Sequence, residues 1–402
     1  MSIYERFGVK SIINLAGPAT RYGGALMEKP VLGAMDEAAK ESVRLDELEA
    51  AASRVIAEAT HAEAGIVTAG ASAALTLGTA ACIAGFDVAR MNQLPDTTGM
   101  PNEVIMPWHQ VSGYDHAIRA AGARIVGVGI PNDTTPPQEV NITTRWDIEA
   151  AIGSNTAALA YAVRPGSHPP LEEAVQIGKR YKIPVIIDAA AEVPPIENLH
   201  RFIDMGVDLV CISGGKGIRG PQASGILCGR RDLIGSALLQ MLDMAGESFD
   251  RWDPPASLIP KEKLLGKPEH GIGRAMKASK EAIIGLLVAL QNLTEERHAK
   301  KGEYAKTLLE GIQAKLKGIA GIEVAITEGI SGYPSLSVKI DEVIAGRNAY
   351  EVAQRLRDGD PNIYIENRDR YLQNGLVVIH SINLDEETAR IVGDCLYAAI
   401  SR

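Results

Sequence analysis

Between about residue 46 and residue 260, short apolar runs alternate with amphipathic stretches. The runs fall at residues 65–68, 103–106, 124–128, 156–163, 184–188, 209–213 and 224–228. Most are brief, β-branched and apolar at successive positions, the pattern of strands covered on both faces. Helix-period stretches separate several of them, for example residues 171–181 and the segment around 115–121. Alternation of this kind predicts an α/β domain on a mostly parallel, seven-stranded sheet.

The pattern changes after Trp252. Asp253-Pro254-Pro255 and Pro260 punctuate a loop, and helical spacing then runs through residues 278–316. Four further strand candidates follow at 323–327, 335–340, 362–366 and 376–380, interleaved with helices near 349–357 and 386–401. Residues 1–45 carry Gly17, Pro18, Gly23 and Gly24 and lack strand alternation. The expected organisation is therefore an N-terminal arm (1–45) packing with the small domain, a large domain (46–262) and a small α+β domain (263–402).

Composition narrows the partners. Aromatics are 4% of the 402 residues and the formal net charge is −9, with no dense Lys/Arg run. This composition does not draw the chain to nucleic acid or an anionic membrane. No apolar stretch reaches the ~20 residues of a membrane span. The first residues lack the apolar core of a signal peptide, and the four cysteines (Cys82, Cys211, Cys228, Cys395) form no Cys-x-x-Cys pair. The expectation is a cytoplasmic protein with reduced thiols and no metal site.

Four segments carry candidate chemistry, all at the C-terminal ends of expected strands, where ligands of open α/β sheets bind. In Leu209-Val210-Cys211-Ile212-Ser213-Gly214-Gly215-Lys216, a buried strand turns on two glycines into a lysine. Burial lowers an amine's pKa and makes it nucleophilic. A surface lysine after a Gly-Gly turn would have the same sequence. Asp188, after Val185-Ile186-Ile187, is a carboxylate at the end of a buried strand that needs a cation, such as a protonated pyridine nitrogen. The small Ala190 leaves room for a flat ring, but a helix N-cap would explain Asp188 equally. Gly70-Ala71-Ser72 opens an alanine-rich helix whose free N–H groups suit a phosphate. His109, with Trp108 as competitor, follows residues 103–106 and could stack on a cofactor ring or fill a packing gap. A phosphate cradle, a ring stack, a pyridinium partner and an amine come in the order that an enzyme of pyridoxal 5'-phosphate (PLP) would need. Dinucleotide, P-loop and metalloprotease motifs are incomplete or lacking.

These residues resemble the bacterial selenocysteine synthase-like family of PLP enzymes of fold type I. The likeness rests on Asp188-Ala189-Ala190-Ala191-Glu192, Ser213-Gly214-Gly215-Lys216 and Gly220-Pro221-Gln222-x-x-Gly225. Ile13-Asn14-x-x-Gly17-x-x-Thr20-Arg21 and Ile272-Gly273-Arg274-x-x-Lys277-x-x-Lys280-Glu281 add to it. The resemblance implies a Schiff-base lysine at Lys216, a ring-nitrogen partner at Asp188, and a phosphate held by Gly70, Ala71, Ser72 and Ser213. Arg274 and Lys277 match basic residues that reach the phosphate or substrate of a neighbouring subunit, which implies a homo-oligomer, at least a dimer.

The acidic charge argues against a tRNA substrate. The chain is more similar to the sugar-acid branch typified by D-glucosaminate-6-phosphate ammonia-lyase. The implied reaction is loss of water and then ammonia from a 2-amino-3-hydroxy sugar acid, with Lys216 taking the Cα proton and His109 or water serving the leaving hydroxyl. Arg21, Arg164, His168, Arg368 and Arg370 are candidate substrate contacts, each also readable as a structural ion-pair partner. A PLP racemase or aldolase, a selenium or sulfur transferase on aminoacyl-tRNA, and a non-catalytic PLP-binding protein are the alternatives.

Overall fold

The computed structural model describes residues 2–129, 143–164 and 166–401. Contacts divide the chain into two units: Met27–Gln291, and Met1–Leu26 together with Asn292–Arg402. The strands are β1 (Ile13–Leu15), β2 (Ala64–Thr68), β3 (Glu103–Pro107), β4 (Arg124–Val128), β5 (Thr156–Ala162) and β6 (Val185–Asp188). They continue with β7 (Leu209–Ser213), β8 (Gly225–Gly229), β9 (Ile322–Glu328), β10 (Pro334–Ile340), β11 (Ile363–Ile365) and β12 (Leu376–His380).

The larger unit is built on a seven-stranded sheet of order β2-β8-β7-β6-β5-β3-β4. Only β8 runs antiparallel to its neighbours; the pairs β7–β6, β6–β5, β5–β3 and β3–β4 are parallel. The ends of β2, β3, β5, β6 and β7 therefore share one edge, as the sequence pattern predicts. Ile66, Ile105, Ile186, Leu209 and Ile212 are among the most deeply buried side chains. Residues apolar on both faces must be covered on both faces, which explains the continuous rather than alternating runs.

β2 lies at an outer edge of this sheet, where unpaired N–H groups face outward. The Leu45–Thr60 helix covers them. Ser53 Oγ accepts the Gly65 N–H at 3.1 Å, and Glu49 Oε2 accepts the Val67 N–H at 2.9 Å. Residues four apart on a helix thus meet N–H groups two apart on a strand. Glu49 is only 2% exposed, and burial pushes its carboxyl up to about 8, opposed by the single Val67 N–H.

Residues 27–45 and 263–291, outside the large domain in the sequence reading, pack within this larger unit. Val31 and Leu286 are buried, and Met35 lies where a Cβ on Gly285 would stand. In place of one helix over 278–316 there are two, Lys280–Asn292 and Glu295–Leu316. Thr294 Oγ1 accepts the Arg297 N–H at 3.3 Å, and Glu295 and Glu296 occupy the first turn, so a new helix starts there.

In the smaller unit, β12-β10-β9 form an antiparallel sheet under the Glu295–Leu316, Ala349–Asp358 and Glu386–Ser401 helices. Its core includes Leu309, Ile312, Leu336, Val338, Val352 and Leu396. β1 pairs in parallel with β11, Ile13 opposite Ile363. A strand of three residues is too short to register as alternation, which is why residues 1–45 read as strandless. No helix among the described residues is long and apolar enough to cross a membrane.

Candidate active site

The shared edge of the large sheet gathers the candidate residues. β6 ends on Asp188, paired in register with Cys211 of β7, and two residues later β7 ends on Ser213. Asp188 does not cap a helix, since the next one is Asn198–Met205. Its Oδ1 instead accepts the Ala190 N–H at 3.0 Å. That local bond fixes the carboxyl at the strand end, with the small Ala190 beside it.

Lys216 follows in a closed loop. Gly214 N–H donates to Ser224 O at 2.8 Å, Gly220 N–H to Gly214 O at 2.9 Å, and Arg219 N–H to Lys216 O at 3.0 Å. A Cβ on Gly217 would fall 2.4 Å from Val193 O and the Pro194 ring. Only glycine lets the segment after Glu192 close on the lysine loop. Burial pulls the Lys216 amine below its ordinary value, while the charges of Asp188 and Glu192 oppose that pull. The Glu192 carboxyl is itself pushed up, first by burial and then by Asp188, with Lys216 opposing. An amine and two carboxyls are thus electrostatically coupled at one sheet edge.

At the end of β2, Gly70 has φ 112° and ψ 167°, a conformation that side chains rarely adopt. The Ala71–Ala84 helix begins there with no side-chain cap. Its first backbone acceptor, Gly70 O, serves Ala74 N–H, so the N–H groups of Ala71, Ser72 and Ala73 have no partner among the described residues. Three free donors at the positive end of a helix can bind an anion. Lys277 lies alongside, bridged to Thr68, and Ala69 N–H donates to Met276 O at 2.9 Å. Lys277 therefore neighbours this cradle within its own chain.

The other expectations fall as follows. Trp108 covers β4: a Cβ on Gly127 would lie 2.3 Å from its indole. His109 has Thr143 Oγ1 3.5 Å from Nδ1, and its Nε2 accepts the His168 N–H at 3.4 Å. Burial lowers its pKa, and the charges of His168 and Arg164 lower it further. Arg164 and His168 thus belong to the His109 neighbourhood. Arg274 pairs with Asp243 at 2.8 Å. In the smaller unit, Arg21 donates to Asn367 Oδ1 at 2.5 Å, and Arg368 lies 3.4 Å from Glu366. Arg370 turns to its neighbour, donating to the Tyr371 hydroxyl at 3.0 Å.

Comparison with known proteins places the chain in a family. The profile of the class-V aminotransferases matches residues 133–345, and that of the DegT/DnrJ/EryC1/StrS aminotransferases residues 38–199. A D-glucosaminate-6-phosphate ammonia lyase from Salmonella typhimurium is 31% identical over 374 residues, 90% of this chain and 89% of that protein. The chain belongs to the class-V aminotransferase family. A 5'-C-glycyluridine monooxygenase-decarboxylase from a Streptomyces species is also 31% identical, covering 90% of this chain and 83% of that protein. An L-seryl-tRNA(Sec) selenium transferase from Mannheimia succiniciproducens is 27% identical over 57% of this chain and 51% of its own length. A solved structure of D-glucosaminate-6-phosphate ammonia-lyase superposes with a TM-score of 0.80 at 29% identity, over 100% of this chain and 98% of that one.

This class-V chain is accordingly an enzyme of fold type I that takes PLP. The residues present fit the cofactor: the three free N–H groups match a phosphate, and the Lys216 amine is partly desolvated beside Asp188. Sequence reasoning quoted Glu192 without giving it a role, and the signal was its place in the Asp188–Glu192 motif. It also missed Glu366 and His380, which form a buried chain in the smaller unit. Ser335 Oγ lies 2.8 Å from His380 Nδ1, and His380 Nε2 lies 3.6 Å from Glu366. No motif marks them.

Proposed function

We propose that this chain is a PLP-dependent ammonia-lyase acting on a 2-amino-3-hydroxy sugar acid, D-glucosaminate or its 6-phosphate, to give a 2-keto-3-deoxy acid and ammonia. The observation that carries it is the desolvated Lys216 amine flanked by the charges of Asp188 and Glu192 at the sheet edge. PLP, when bound, supplies an electron sink that stabilises negative charge at the Cα of an amino acid.

The chain's own residues do the rest. The Ala71, Ser72 and Ala73 N–H groups, with the Ser72 and Ser213 hydroxyls, hold the phosphate, and Lys277 adds positive charge beside them. Asp188 would partner the ring nitrogen, and its negative charge would favour the protonated form. His109, oriented by Thr143 and the His168 N–H, would flank the ring. Lys216 Nζ would hold the cofactor, and its free amine would take the proton from substrate Cα. A water donates the proton to the departing β-hydroxyl, because both ring nitrogens of His109 already face protein groups. Arg164 and His168, in the segment after β5 beside His109, are the substrate contacts.

We place the enzyme in the cytoplasm, consistent with Cys82, Cys211, Cys228 and Cys395 remaining free thiols. We take it to act as a homodimer at least.

Incubation with D-glucosaminate and its 6-phosphate tests the reading. Ammonia and a keto acid in equal amounts support it. Oxygen uptake with carbon dioxide release would instead favour the reaction type in the Streptomyces relative's name, which the equal identity keeps as a second reading.

A further inference from the structure

On the flank of the larger unit, three side chains converge that the proposed reaction does not use. His61 directly follows the Leu45–Thr60 helix, and His200 and Asp204 stand four residues apart on the Asn198–Met205 helix. His61 Nδ1 lies 2.9 Å and 3.2 Å from the two oxygens of Asp204, and His200 Nδ1 lies 2.8 Å from Oδ2. The imidazoles stack with centroids 4.5 Å apart and an angle of 26°. One ligand atom from each residue falls within a group spanning 4.8 Å, and none of the three side chains is buried.

The spacing has a physical basis. Residues i and i+4 share one helix face, so His200 and Asp204 point the same way. His61 sits at φ 57° and ψ 12°, a left-handed helix-end position usually given to glycine. There its ring reaches the neighbouring helix. Hydrogen bonds from His200 and His61 hold the Asp204 carboxyl below its ordinary pKa, so it presents a negative charge. A divalent ion can take one lone pair from each of these three side chains.

We propose that His61, His200 and Asp204 bind a divalent metal ion of the zinc class, clamping the end of the Leu45–Thr60 helix to the Asn198–Met205 helix. Two imidazoles and one carboxylate suit zinc, cobalt, nickel or copper, whereas magnesium and calcium favour all-oxygen sites. Metal–ligand bonds of about 2.0–2.2 Å place tetrahedral donors roughly 3.3 Å apart. The imidazole–carboxylate pairs are already close to this, and rotation of exposed side chains closes the wider pair. Water completes the coordination. The site precedes the first residue of β2, whereas the cofactor cleft follows its last, so the metal acts on stability and not on chemistry. It ties two helices far apart in sequence, and binding to the folded state alone raises stability by mass action.

The test is zinc titration of the chelator-treated, dialysed holoenzyme by calorimetry, with melting curves in the presence and absence of zinc. The expected result is about one zinc per chain and an upward shift of the melting temperature. His61→Asn, which keeps a residue tolerant of the left-handed backbone, and His200→Gln should each weaken binding at least tenfold and remove the shift, with ammonia release unchanged. No zinc binding by the native protein, or undiminished binding by both variants, would overturn the proposal.

Discussion

Two regions of the larger unit take an ionisable side chain out of water, and they do so to opposite ends. In the loop after β7, burial lowers the Lys216 amine, but two carboxylates, Asp188 and Glu192, keep charge within its reach. At the outer edge of β2, Glu49 is almost wholly buried and, among the described residues, meets only the Val67 N–H, so burial pushes its carboxyl up to about 8 and it stays neutral at pH 7. Burial alone therefore does not make a reactive group. Burial against opposing charge tempers the shift of an amine, while burial without it drives a carboxyl towards its neutral form.

If that contrast is right, the largest effect belongs to Lys216→Ala, which should cut ammonia release by about 10^4-fold or more. Normal turnover by that variant would break the comparison at its catalytic end. Asp188→Asn keeps an acceptor for the Ala190 N–H and removes the charge. We expect a fall in kcat on the order of 10^2–10^3-fold with the cofactor retained, and an unchanged kcat would show that the charge is dispensable.

The Glu49 end is read through stability. The folded carboxyl, at about 8 against an ordinary 4.5, binds its proton more tightly than the unfolded one. Stability therefore falls as pH rises from about 4.5 to 8 and is fully reduced above that. Glu49→Gln removes the titration and should raise stability at pH 9 by up to about 4 kcal/mol, with little change at pH 4. Urea midpoints at both pH values check this, and equal slopes for the two proteins would mean that Glu49 is charged in the fold. The smallest effect is that of Glu192→Gln. Losing a charge that opposes the burial of Lys216 should move the pH midpoint of PLP rebinding by the apoenzyme to lower pH. A midpoint moving upward would contradict the coupling.

The sequence made the large sheet legible because most of its strands are covered on both faces and read as continuous apolar runs. Residues 124–128 and 209–213 match β4 and β7 end to end. It failed where short or capped features decide. β1 is three residues long, and the break between the two helices over 278–316 depends on a single Thr294 hydroxyl. Asp188, Lys216 and the Gly70 turn were readable because strand ends carry chemistry in this architecture. The roles of Glu192 and Glu49 were not, since both depend on burial and on which charges lie near. Likewise, the pairing of His61 with His200 and Asp204 requires two helices distant in sequence to meet.

The most direct test of the account is the visible spectrum of the purified protein before and after borohydride, followed by peptide mass mapping. A yellow band that borohydride bleaches, with the reduced adduct on Lys216, is the predicted result. A protein that stays colourless with added PLP, or an adduct on another lysine, would contradict it.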